Sequence, residues 1–136
     1  VSVRVSTDVE PGPVSRYLDS IEQGAMGGCD AVSSDIELDA TVPNWRFAVH
    51  GSRAVLAELS RWYTDPGSFE ELRRTPIPAG ELVAFTLRWE ADGVPHAAHQ
   101  VHILEVADAH ITRAQVWCGG RWPAALLAEM AEAGSV

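Results

Sequence analysis

The spacing of hydrophobic residues changes several times along this chain, and each change marks an element. Val14, Tyr17, Leu18, Ile21 and Ala25 recur at helical spacing behind Pro11 and Pro13, which are tolerated in a first helical turn. This predicts a helix broken by Gly27 and Gly28, then a short second helix over 29–33. Over 35–42 the period drops to two. Ile36, Leu38, Ala40 and Val42 point one way, while Asp35, Glu37, Asp39 and Thr41 point the other. Pro43 and Asn44 turn the chain into a short strand carrying Trp45, Phe47 and Val49. Gly51 and Ser52 lead into a third helix with Val55, Leu56, Leu59, Trp62 and Tyr63, stopped by Asp65, Pro66 and Gly67.

The second half alternates almost throughout. A strand is expected over 69–75, closed by Pro76, Pro78 and Gly80. Strands follow over 82–90, 94–106 and 110–118, with a hairpin turn at 91–93 and a second turn at Asp108 and Ala109. Pro123 opens a terminal helix over 124–133 with Leu126, Leu127 and Met130. Residues 1–10 read as a tail or a short edge strand. The strand over 94–106 puts His96, Gln100 and His102 on one face. Its neighbours offer Val83, Phe85, Leu87 and Trp89 on one side, and Ala114, Val116 and Cys118 on the other. If these sets share the concave face of a curved sheet, they form an apolar pocket with a few polar groups inside, the usual composition of a small-molecule site.

Composition narrows the function classes. A length of 136 residues favours a single domain over 1–136. The formal net charge of −9 repels phosphate backbones and anionic membrane surfaces, so neither nucleic acid nor membrane is an expected partner. No apolar run approaches the ~20 residues that span a bilayer, and no apolar signal core follows a charged start. Two cysteines, Cys29 and Cys118, are no disulfide framework, so a reduced cytoplasmic setting is expected. The ten basic residues are all arginine, which points to GC-rich bacterial coding.

The order helix, helix, strand, strand, helix, then four strands resembles the nuclear-transport-factor-2-like fold. The local landmarks are most similar to its ketosteroid isomerase and SnoaL-like polyketide cyclase branch. They are Tyr17 in the first helix, Ser34 and Asp35 opening the first strand, and His50 and Gly51 before the third helix. Trp89, Gly93 and Pro95 at the hairpin and Ile111 opening the last strand complete them, so the likeness covers about 12–118. The resemblance implies an α+β cone: a curved mixed β-sheet wrapped around three helices of the N-terminal half and enclosing a pocket, with the short C-terminal helix as an addition. It also implies a homodimer paired through the convex sheet, where His99, Val101, Gln115 and Trp117 would lie. Ketosteroid isomerases use a tyrosine and a protonated aspartate as an oxyanion hole and a second aspartate as base. Those positions fall here on Tyr17, His102 and Ala40, the last one residue after Asp39.

The candidate catalytic residues are therefore Tyr17, His102 and Asp39. A histidine exchanges protons near neutral pH, and a tyrosine hydroxyl polarises a substrate oxygen. Asp39 faces the pocket only if a bulge turns it inward. Gln100, roughly 6.7 Å along the strand from His102, orients a ligand or holds the imidazole. Trp45, Phe47, Phe85, Trp89 and Cys118 complete the substrate-binding set. The regular spacing of His96, His99 and His102 invites a metal reading. On a strand, however, His99 points away, and His96 and His102 stand about 20 Å apart, beyond one ion with bonds near 2 Å. Gly119 and Gly120 lack the Gly-Lys-Ser pattern of a phosphate loop. The expectation is a cofactor-free, metal-free acid–base enzyme: an isomerase, dehydratase, cyclase or epoxide hydrolase acting on a medium-sized apolar polyketide- or terpenoid-like substrate. A non-catalytic small-molecule-binding protein and a dimeric interaction module with a vestigial pocket are the alternatives.

Overall fold

The structure is a computed structural model that describes residues 12–134, so the tail expected over 1–10 lies outside the described residues. Helix α1 (Pro13–Gln23) begins at a proline, whose missing N–H is not needed in a first turn. Its buried stripe is Val14, Tyr17, Leu18 and Ile21. The helix closes earlier than its apolar spacing suggests. Gly24 adopts a left-handed φ of 65°, Gly24 N donates to Ile21 O, and Ala25 N donates to Ser20 O. Ala25 is therefore outside the helix and exposed.

The second helix expected over 29–33 does not form. A single 3-10 turn, Met26–Gly28, takes its place, and the chain is already a strand at Val32. The competing interaction is with the sheet: Ile111 N donates to Ala31 O at 2.8 Å and holds this segment extended. Among the described residues, two α-helices of the N-terminal half therefore sit within the cone.

The remaining elements are β1 (Val32–Val42), β2 (Trp45–His50), α2 (Ser52–Trp62), β3 (Gly67–Ile77), β4 (Gly80–Ala91), β5 (Val94–Ala107), β6 (His110–Cys118), β7 (Trp122–Pro123) and α3 (Ala124–Glu132). They form one curved, unclosed sheet in the order β2-β1-β6-β5-β4-β3. Among the described residues every pair is antiparallel except β1 with β6. Strand β3 runs through Pro76, beyond its expected end, because an edge strand tolerates a proline. The two-residue β7 pairs with His96 and Ala97 of β5, alongside the stretch where β6 has already ended. Pro123 closes this bridge and is the N-cap of α3, not part of its first turn.

Alternation along the strands makes the concave face continuous. Ile36, Leu38 and Ala40, Val83, Phe85 and Leu87, and Leu104, Ala114 and Val116 are all buried there with α1 and α2 over them. No helix among the described residues is long and apolar enough to cross a membrane.

The turn at Gly24 also fixes the approach of the chain between α2 and β3. A Cβ on Gly24 would stand 2.8 Å from the carbonyl carbon of Asp65. Gly24→Ala should lower the unfolding free energy by about 1 kcal/mol or more. Urea denaturation measures this, and an unchanged midpoint would refute the claim that this backbone conformation is required.

Candidate functional site

Strand β5 brings the polar groups together. Ala98, Gln100, His102 and Leu104 point to the concave face in steps of two, and all four are buried. His102 lies between Val83 of β4 and Val116 of β6, and Phe85 packs against its ring at 5.2 Å between centroids. Tyr17 reaches down from α1, placing its hydroxyl 2.9 Å from His102 Nδ1. On the other side of the ring, His102 Nε2 is 2.9 Å from Gln100 Oε1. Gln100 Oε1 also accepts from the hydroxyl of Tyr63, which follows the last turn of α2.

The donors and acceptors set the direction of the chain. An amide oxygen only accepts, so His102 Nε2 carries the proton and Nδ1 accepts from Tyr17. Burial keeps each group neutral. It pushes the His102 imidazole from 6.5 down to about 3. It also raises the Tyr17 phenol far above its ordinary range, with a smaller contribution from Cys29. Burial raises the Tyr63 phenol too, helped by Tyr17 and Cys118 and opposed by its bond to Gln100. At neutral pH the network is a set of hydrogen bonds between uncharged groups.

A cavity of about 450 Å³ lies beside this network. Its apolar walls are Val42, Trp62, Leu87, Trp89 and Ala98. Tyr63, Gln100 and Cys118 supply polar groups deep inside, while Glu58, Arg61 and Arg121 stand towards the more exposed end. Tyr17 and His102 do not line it: both are fully buried, and Gln100 and Tyr63 separate them from the space. Cys118 Sγ accepts from Gln100 Nε2 at 3.3 Å and from Gly120 N at 3.4 Å. Glu58 is the single carboxylate in the lining among the described residues. It accepts from Trp62 Nε1 at 2.9 Å and from Arg61 Nη1 at 3.4 Å.

The other sequence-derived candidates fall elsewhere. Asp39 sits on the opposite face of β1, because the pairing from Glu37 to Val42 runs without a bulge. Arg46 binds its carboxylate with two hydrogen bonds, at 3.0 and 2.7 Å, and so holds it below the usual carboxylate range. The inward turn that would make Asp39 a base is absent. Trp45 is 68% exposed on β2, just beyond the β1–β2 turn, and does not line the cavity. Phe47 packs edge-on to Trp62 behind the wall, and Phe85 packs against His102 beneath it. Trp89, Gln100 and Cys118 do line the space. His99 points to the convex face and bonds Thr86 at 2.8 Å. Sequence reasoning missed Tyr63, Glu58, Arg61 and Arg121. The four-residue spacing of Glu58 and Trp62 was the signal available for one of them.

No family model matches the chain, and no curated protein does. Solved structures resemble it. A nuclear-transport-factor-2-like protein of unknown function from Burkholderia xenovorans superposes with a TM-score of 0.61 at 16% identity, over 79% of this chain and 80% of that one. A candidate polyketide cyclase from Xanthomonas campestris gives 0.61 at 15% identity, over 77% and 86%. An LEH-like epoxide hydrolase from M. tuberculosis gives 0.59 at 18% identity, over 78% and 79%. At these identities the likeness is one of fold.

The buried imidazole makes stability depend on pH. Its folded-state pKa lies below its unfolded value, so the unfolded chain takes up the proton first. The contribution is fully present above about pH 6.5 and is lost as pH falls towards 3. Between pH 7 and pH 5 the loss should be about 2 kcal/mol. Urea titrations at the two pH values measure it, and His102→Asn should remove that slope. An equally steep loss in the variant would mean that His102 is not its source.

Proposed function

We propose that this chain, which has the nuclear-transport-factor-2-like fold, is a cofactor-free enzyme that moves a proton on a medium-sized, largely apolar substrate. Isomerisation, dehydration, cyclisation and epoxide opening are the reactions in this class, and a polyketide- or terpenoid-like compound suits the cavity. The carrying observation is the cavity itself. Apolar walls surround a space of about 450 Å³, with the neutral polar groups of Tyr63, Gln100 and Cys118 inside it and one carboxylate nearer its exposed end. Resemblance in fold to a candidate polyketide cyclase and an epoxide hydrolase supports this choice of reaction class.

In this reading Glu58 is the proton carrier. Its carboxylate accepts a proton from a carbon beside a carbonyl, and the electron pair moves onto the carbonyl oxygen. The Tyr63 hydroxyl turns from Gln100 to that oxygen and stabilises its developing charge; Glu58 then returns the proton to a different carbon. Tyr63 suits the donor role because its raised pKa keeps the hydroxyl protonated. Tyr17 and His102 are positioning residues: they fix Gln100, which in turn holds Tyr63.

A second reading, a receptor that does not alter its ligand, has one observation in its favour. Both oxygens of Glu58 already accept hydrogen bonds, from Trp62 and Arg61. Incubation with a panel of cyclic epoxides, β,γ-unsaturated ketones and hydroxyketones, read by mass spectrometry, separates the two. The enzyme should convert a panel member, with Glu58→Gln lowering kcat by roughly 10²–10⁴ and Tyr63→Phe by roughly 10²–10³. Stoichiometric binding with the ligand returned intact would replace the catalytic reading with the receptor.

A further inference from the structure

The cavity is positively biased on a chain whose net charge is −9. Its lining sets two guanidiniums, Arg61 and Arg121, against one carboxylate, Glu58, which leaves one net positive charge. The carboxylate is also the more engaged group, since Trp62 and Arg61 both donate to it. Arg16, Arg46, Arg61, Arg74, Arg88 and Arg113 each hold a carboxylate within 4 Å. Arg121 holds none among the described residues. It has no hydrogen bond or ion pair with any of them, and its guanidinium carbon stands 5.0 Å from the centroid of the Trp89 ring. Arg53 and Arg73 also have no ion pair among the described residues, but neither lines the cavity.

Trp89 forms the base on which this guanidinium rests. Its indole Nε1 is the one buried side-chain polar atom without a partner among the described residues, and Trp89 lines the same cavity. The ring it belongs to is the one beneath Arg121. The cation lacking an anion therefore rests on an aromatic face of the cavity wall. Stacking over an aromatic face holds a guanidinium close without consuming its N–H groups.

We infer that the ligand of this cavity is an organic anion. Its apolar body fills the aromatic interior, and its carboxylate or similar oxyanion group is bound near the exposed end by Arg121. Arg61 adds to the attraction, and the Trp89 ring holds the Arg121 guanidinium in place. A planar oxyanion group meets the two parallel N–H groups of a guanidinium, a geometry a neutral oxygen does not match. The inference rests on the reading of this cavity as a small-molecule site, and it adds the charge class of the molecule.

A matched pair of fluorescent probes tests it. 1-Anilinonaphthalene-8-sulfonate and N-phenyl-1-naphthylamine share one apolar body, and only the first carries an anionic group. Titrated into the full chain, the sulfonate should bind about tenfold tighter or more, and raising the salt concentration should weaken it alone. Arg121→Gln should erase that advantage and leave N-phenyl-1-naphthylamine unchanged. Arg53→Gln, which removes the same charge elsewhere, should alter neither. Equal binding of the two probes, with no effect of salt or of Arg121→Gln, overturns the anion inference and leaves the small-molecule site standing. Failure of both probes to bind removes the site and the inference together. The salt titration of the unaltered chain decides between these outcomes even if the variant does not fold.

Discussion

A neutral histidine with both ring nitrogens satisfied inside an apolar core is the constraint on which the rest of the structure depends. Tyr17 belongs to α1, His102 and Gln100 to β5, and Tyr63 follows the end of α2. Their hydrogen bonds tie three separate elements at full burial. Each partner left alone there would cost about 1–3 kcal/mol. The helices can therefore cross the sheet in few ways, and the permitted one leaves a space beside Gln100 and Tyr63. Apolar packing around Phe85 and Leu59 makes the core compact; the polar chain gives it one arrangement.

Charge is distributed to match. The network is uncharged, the cavity keeps its charges towards its exposed end, and the convex face carries the ladder of Arg46, Asp39, Arg113 and Glu105. Exposed pairs of that kind contribute little to stability. Their effect is on the alternation of β1, where Arg46 and Arg113 give Asp39 good reason to stay outside. The acidic character of the whole chain therefore says little about the cavity, whose local balance runs the other way.

Much of the fold was legible because strand alternation is a strong signal. The period of two through β4, β5 and β6 correctly placed Phe85, Gln100 and His102 on one buried face. It also implied that Asp39 and Ala40 face opposite ways. What escaped was set by contacts between distant segments. The stretch after Gly28 has no local reason to be extended; Ile111, far along the sequence from it, supplies one. Tyr63 reads as one more apolar position of a helical stripe, since spacing locates a ring but not the direction of its hydroxyl. Arg121 follows two glycines in a segment with no periodicity, and only the pairing of β7 with β5 brings it over Trp89.

The parallel pairing of β1 with β6 sets a demand on kinetics. Strand β1 can form a hairpin with β2 at once, but its other edge waits for β6, which lies four strands and a helix further along. Contacts of such long sequence separation slow folding, because closing the intervening loop costs entropy before any pairing offsets it. During synthesis the apolar face of β1 emerges long before β6 exists to neighbour it. Until β6 is made, the nascent chain therefore carries an open, sticky strand edge. Its yield in a cell depends on how well that interval is shielded, a property invisible in the stability of the finished fold.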